Sequence, residues 1–252
     1  MAVDTFRRYE LKYKVPNDIL HAFLDDLLEY MEIDEYSKKT GYYLITNIYY
    51  DTPDDTLIRT SLAKPTYKEK LRLRSYGVPK RDTGCFIEIK KKYKGLVSKR
   101  RIMAPLSRAD AYLAGQDDLE NVQAMNHQML HEMDYFRSVY PVIPKLYLSY
   151  ERKALFGKED PEFRVTFDKN ITVRRYDLDL DKGVYGRVLL TDCHLMEVKV
   201  LGAVPLWFAR LLSKYSIFPT SFSKYGTEYM QYVREHDAGS SRFAPAAVGE
   251  SD

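Results

Sequence analysis

The chain of 252 residues is 45% hydrophobic and 30% charged, enough apolar material for a buried core, which excludes a wholly disordered polymer. Its 39 Lys and Arg face 36 Asp and Glu, so the formal net charge is only +3, and any anion binding must come from where the cations lie rather than from their sum. Cys85 and Cys193 are too far apart in sequence to suggest a disulfide framework or a zinc site, which points to a reducing compartment. The opening MAVDTFRRYELKYK lacks the apolar centre of a signal peptide, and no stretch approaches the roughly 18 apolar residues of a membrane span. A cytoplasmic protein is expected. The 22 Tyr against one Trp are unusual, and amphipathic rings lining a core would accommodate them.

In chain order, a strand is predicted at Thr5–Val15 from its period-2 alternation, followed by a helix at Asn17–Met31 that opens after Pro16. Strands follow at Tyr42–Tyr50, Tyr67–Tyr76, Cys85–Tyr93 and Val97–Met103, with a short helix at Asp54–Ser61 between the first two. Helices at Ser107–Ala114 and Leu119–Val139 lead to strands at Lys145–Leu155, Glu162–Phe167, Ile171–Arg175 and Cys193–Val200. Helices at Pro205–Tyr215 and Ser223–His236 complete the domain, and the Gly/Ser/Ala/Pro-rich residues 239–252 read as a disordered tail. Many strands with few glycine-rich βα turns indicate one antiparallel α+β domain over residues 1–238 rather than a doubly wound sheet.

Charge follows the strand period. Arg8, Glu10, Lys12 and Lys14 share one face of the first strand, with Tyr9, Leu11, Tyr13 and Val15 on the other. Lys68, Lys70, Arg72 and Arg74 repeat the pattern, as do Glu88, Lys90 and Lys92, and then Glu197 and Lys199. One such strand is ordinary for a sheet with one wet face. Several together, with Lys and Arg dominant and Lys70, Arg72 and Arg74 in succession, would repel one another on a bare surface. The arrangement that relieves this is a closed or nearly closed barrel with helices on its apolar outside and the charges in its lumen. Such a lumen would hold phosphate oxygens through charge-assisted bonds, with the sparse glutamates as ligands to Mg²⁺ or Mn²⁺.

The segments RRYELKYKV, LRLRSY, FIEIKKK with the following SKRR, LSYERKAL with FRVTFD, LMEVKV and SFSKYGTEY occur in an order that resembles the VTC domain, between about Thr5 and Tyr232. That is the polyphosphate polymerase domain of the vacuolar transporter chaperone complex, in the CYTH or triphosphate tunnel metalloenzyme superfamily. The resemblance implies a tunnel of about eight antiparallel strands with helices packed outside. ATP or another triphosphate would enter it, and the γ-phosphate would pass to a growing inorganic polyphosphate chain.

Carried over by motif, Lys12, Arg72, Arg74 and Lys90 would act on the transferred phosphoryl group, while Lys14, Lys99, Arg100, Arg152, Arg164, Lys199, Ser223 and Lys224 would bind substrate phosphates. Glu197 would ligate the metal, joined by Glu10 and Glu88. The superfamily's hydrolases open with Glu-x-Glu-x-Lys, whereas Glu10-Leu11-Lys12-Tyr13-Lys14 has Lys at the second position, which favours transfer over hydrolysis. A triphosphatase and a non-catalytic polyphosphate-binding module are the alternatives. The complex's membrane part and SPX domain are not read in these residues, so product would be released in the cytoplasm or handed to a separate membrane partner. His127 and His131 stand four apart without a third ligand and read as surface residues, and the two cysteines read as small buried hydrophobes. No RNP, KH or helix-turn-helix pattern accompanies the lysines, so no nucleic-acid partner is expected.

Overall fold

The computed structural model describes residues 9–94, 96–119 and 127–240, with side chains described through residue 236. The strands are β1 (Tyr9–Pro16), β2 (Met31–Ile33), β3 (Tyr43–Asp51), β4 (Tyr67–Tyr76), β5 (Gly84–Tyr93), β6 (Leu96–Pro105), β7 (Ile143–Gly157), β8 (Arg164–Arg174), β9 (Arg187–Val188) and β10 (Cys193–Val200). The helices are α1 (Asn17–Leu28), α2 (Glu35–Thr40), α3 (Thr56–Leu62), α4 (Leu106–Leu113), α5 (His127–Val139), α6 (Leu206–Lys214) and α7 (Lys224–Ser240). All strands join one antiparallel sheet in the order β1-β10-β8-β7-β3-β4-β5-β6, with β2 on β7 and β9 on β8.

The sheet is curled but not closed by hydrogen bonds, since β1 and β6 end the path. Curling nevertheless brings β1 and β5 side chains together, with Lys90 Nζ donating to Glu10 Oε2 at 2.8 Å. The main path therefore encloses a tunnel of eight strands, and α+β is the fold class.

Local sequence sets where helices begin. Pro16, Pro105 and Pro205 sit immediately before α1, α4 and α6 with φ of −55°, −53° and −56°, where a missing N–H costs nothing. The Asp34 carboxylate accepts the Ser37 N–H at 2.7 Å to start α2. Asp51, at the end of β3, accepts the N–H groups of Leu57 and Ile58 at 2.8 and 2.9 Å, tying α3 to the sheet.

Outward side chains form two apolar cores beneath helices. Leu71, Leu73, Ile87, Ile89 and Ile102 pack under α4 and α5, with Tyr112, Met133 and Phe136. Tyr13, Val165, Phe167, Met196 and Val198 pack under α1 and α6, with Phe23 and Phe208. A third cluster lies on the inner alternation, where Ile45, Tyr49, Leu148, Tyr150, Ile171 and Leu195 meet Ile58 of α3 and Phe222 and Tyr225 beside and within α7. Part of the lumen is thus filled by apolar side chains, beside the charges that the sequence places there.

Other differences are local. The strands predicted at Glu162–Phe167 and Ile171–Arg175 merge into one, β8, which begins at Arg164, ends at Arg174 and shifts register against β7 between Ser149 and Glu151. The first helix ends at Leu28, and β2 and α2 were not foreseen because each is too short to show a period. Tyr9 and Tyr67 are 51% and 45% exposed rather than beneath helices. Residues 5–8 of the first strand, 120–126 of the long helix and 241–252 of the tail lie outside the described residues, and α7 runs on to Ser240. No described helix is long and apolar enough to cross a membrane.

Phe208 is fully buried and meets Tyr13, Phe163 and Trp207 edge to face. Phe208→Ala should cost about 3–5 kcal/mol of stability in urea unfolding. A change near zero would mean that α6 is not docked on the sheet.

Candidate functional site

Alternation along β4 turns Lys68, Lys70, Arg72 and Arg74 to the inner face, because the Leu71 and Leu73 between them fill the outer core. Register then fixes the neighbours: Arg72 lies between Tyr49 of β3 and Glu88 of β5, and Arg74 between Asn47 and Phe86. Arg72 donates to Glu88 Oε2 through Nε at 2.8 Å, its Nη2 lies 2.7 Å from the same oxygen, and Nη1 reaches the Tyr49 hydroxyl at 3.2 Å. Arg74 donates to Asn47 Oδ1 and the Tyr150 hydroxyl, each at 2.9 Å, and Lys99 reaches Glu88 Oε1 at 3.1 Å. Burial alone would raise the Glu88 carboxyl, but Arg72, Arg74 and Lys99 hold it down at about 2.

A second group centres on β1 and β10. Glu10 pairs with Lys90 and lies 4.0 Å from Lys12, and Glu197 lies 3.9 Å from Lys199. The Glu197 and Glu10 carboxyls are within hydrogen-bonding reach of each other, and this bond with Lys199, Lys12 and Lys90 keeps Glu197 well below the usual carboxylate range despite its burial.

The third group is built on Asp168, which is fully buried. Arg152 grips it through two bonds of 2.7 and 2.8 Å to Oδ1 and Oδ2, and Lys224, the first residue of α7, lies 2.6 Å from Oδ2 as well. Ser223 caps α7, its Oγ accepting the Gly226 N–H at 3.3 Å and also receiving Lys70 at 3.3 Å. A Cβ at position 226 would stand 3.0 Å from Leu62 Cδ2 and 3.2 Å from Ser223 Oγ, so glycine here lets α7 meet α3 with Ser223 in place.

Among the described residues, the inner face thus gathers Lys12, Lys70, Arg72, Arg74, Lys90, Lys99, Arg152, Lys199 and Lys224 around Glu10, Glu88, Asp168 and Glu197. Burial dominates the titration of these lysines. Burial, with Lys12, Lys68 and Lys90 nearby, pushes Lys70 down to about 8, and burial also lowers Lys12, Lys99 and Lys199. Tyr49 and Tyr150 are buried, which would raise their hydroxyls, yet the adjacent Arg72 and Arg152 bring both below the ordinary value.

Not every expected residue joins the cluster. Arg100 stands opposite Ile89, on the outer face, 3.5 Å from Glu132 of α5; Arg101, opposite Glu88, takes the inner position instead. Arg164 is at the rim, half exposed and 3.9 Å from Glu162. Lys14 is exposed near the Phe222 ring. Glu88 is engaged by three cations, apart from the Glu10–Glu197 pair that the metal reading requires. Asp168, Tyr49, Tyr150 and Asn47 were not among the expected site residues. Lys70, which the period-2 alternation places on the charged face, does join the cluster, and the final Asp of FRVTFD could have found Asp168. His131 is exposed and both cysteines are buried, as expected.

Among the described residues no group of three or more His, Cys, Asp or Glu comes together. The Glu10–Glu197 pair is the donor set on offer, which fits a hard divalent cation that completes its shell with phosphate oxygens and water. If Lys70 contributes its charge to an anion, affinity for inorganic tripolyphosphate should be full below pH 8 and fall as pH rises through that value and the ammonium is lost. Lys70→Arg should remove the inflection in a calorimetric titration. An unchanged pH profile in the variant would contradict the assignment.

The VTC domain family matches residues 7–233. No curated protein matches in sequence. A candidate adenylate cyclase from Bacillus halodurans is 16% identical, with 86% of this chain and 95% of that one covered at a TM-score of 0.51, and it shares the fold. A candidate adenylyl cyclase from Hippeastrum, described as having a dominant triphosphatase activity, is 14% identical over 86% and 93% of the two chains at 0.49. With nearly its whole described length matched by one family, the chain belongs to the VTC domain family.

Proposed function

We propose that the protein is a metal-dependent polyphosphate polymerase that transfers the γ-phosphoryl group of ATP to the end of an inorganic polyphosphate chain. The observation that carries this reading is the excess of lysine and arginine side chains over carboxylates on the inner face. Such a surface is stabilised by a chain of negative charge along the tunnel. Membership of the VTC domain family supports polymerisation, as does Lys12 standing where the superfamily's hydrolases carry a glutamate.

Phosphoryl transfer asks the protein mainly to align donor and acceptor and to stabilise charge on the equatorial oxygens. Arg72 and Arg74, fixed by Glu88, Asn47 and the Tyr49 and Tyr150 hydroxyls, are pre-aimed for the transferred group. Lys12 of β1 and Lys90 of β5 lie on the same inner face, joined through Glu10. Arg152, Lys224 and Ser223 hold the neighbouring phosphates, with the first turn of α7 adding its free N–H groups. Glu10 and Glu197 would hold Mg²⁺ or Mn²⁺, which when bound neutralises triphosphate charge. The bond from the γ-phosphorus to the βγ-bridging oxygen breaks, a terminal phosphate oxygen of the chain forms the new one, and ADP leaves with the bridging oxygen. No covalent enzyme intermediate is needed.

Incubation with ATP and Mn²⁺ should yield ADP and long phosphate chains on a urea gel. Arg72→Ala and Glu197→Gln should each slow this by about 100-fold or more. Orthophosphate as the sole phosphate product would overturn the polymerase reading.

A further inference from the structure

The inner face of the tunnel does not end in charge on every side. After Arg72 and Arg74, the next inward residue of β4 is Tyr76, and the residue inward before Glu88 on β5 is Phe86. Tyr43 of β3, opposite Arg152, lies on the same inner alternation. The three rings form a continuous run, with centroids 6.2 Å apart for Tyr43 and Tyr76 and 6.1 Å apart, edge to face, for Tyr76 and Phe86. The Arg101 guanidinium lies over Phe86, 4.9 Å from its centroid. Much of this surface is open: Tyr76 is 54% exposed, and Met103, opposite Phe86 on β6, is 53% exposed.

The other end of the same strands differs. There the inward positions are Lys68 and Lys92, which face each other across β4 and β5, while Tyr67 and Tyr93 fall on the opposite alternation. One end of the cationic track is therefore aromatic and the other is lysine. Successive inward residues are roughly 7 Å apart along a strand, so Arg74 and then Arg72 follow Tyr76 at about 7 and 14 Å. A flat apolar group tethered to a short phosphate chain matches that order, whereas a bare phosphate chain has no use for the rings.

Taking the triphosphate reading of this tunnel as its basis, we propose that Tyr43, Tyr76 and Phe86, together with Arg101, form the platform on which the base of the nucleoside triphosphate donor stacks. Its phosphates run inward from there along Arg74 and Arg72. Stacking on ring faces and on a guanidinium plane is tolerant of base identity, so the platform separates nucleotide from inorganic donors rather than one purine from another.

The test compares equilibrium binding of ATP and of inorganic tripolyphosphate by the full chain in the presence of Mg²⁺. Tyr76→Ala, at an exposed position, should weaken ATP binding by roughly 5- to 100-fold while leaving tripolyphosphate within about twofold. Phe86→Leu, which keeps an apolar side chain but removes the ring, should shift ATP in the same direction with the same indifference to tripolyphosphate. Unchanged ATP affinity in both variants, or parallel losses for ATP and tripolyphosphate, would overturn the platform. If the unaltered protein binds neither anion, the reading of the tunnel itself fails. Tight tripolyphosphate binding with no effect of either variant on ATP overturns the platform alone.

Discussion

Inside a curled sheet, Glu10, Glu88, Asp168 and Glu197 hold in place twice as many lysine and arginine side chains, and most of the structure follows from that imbalance. Arg72, Arg74 and Lys99 converge on Glu88, and Arg152 and Lys224 on Asp168. Glu10 and Glu197 sit against Lys12, Lys90 and Lys199. Each carboxylate fixes the rotamers of its cations without cancelling their charge. A buried ion that loses its partner is costly, so these four acids are structural as well as electrostatic elements. The uncompensated remainder is a standing attraction for a polyanion; burial first, and the neighbouring lysines less, push Lys70 down to about 8, while Arg72, Arg74 and Lys99 hold Glu88 at about 2.

The tyrosine surplus finds part of its explanation here. Tyr49 and Tyr150 give hydroxyls to Arg72 and Arg74 and ring faces to Arg72, Arg152 and Lys224. A tyrosine can thus line an apolar wall and still satisfy a guanidinium, which phenylalanine could not do. At the interior's apolar end the same residue type ties α7 to β3, where the Tyr225 hydroxyl donates to the Asp51 carboxylate that also anchors α3. The cationic chamber and the plug that closes one part of it are continuous through these rings.

Much of this was legible in the sequence because a strand's alternation survives folding. The apolar Leu71 and Leu73 or Ile87 and Ile89 had to face a core, so Arg72, Arg74, Glu88 and Lys90 had to face the other way. Where alternation is ambiguous, the reading failed. In SKRR the cations are consecutive, and only the pairing of β5 with β6 decides that Lys99 and Arg101 point inward and Arg100 toward Glu132. Asp168 and the partnership of Arg152 with it depend on contact across β7 and β8, beyond a register shift that no single strand reveals. The choice of Glu10 and Glu197 as close neighbours likewise comes from the pairing of β1 with β10, in which Lys12 opposes Glu197.

The most direct test of the cationic tunnel is a crystal structure of the protein with inorganic tripolyphosphate and Mn²⁺, using the anomalous signal of manganese. The account predicts phosphate density among Arg72, Arg74, Lys12 and Lys90, with a manganese peak beside Glu197 and Glu10. Phosphate density confined to the outer surface, or manganese at Glu88 or elsewhere with the tunnel empty of phosphate, would contradict it.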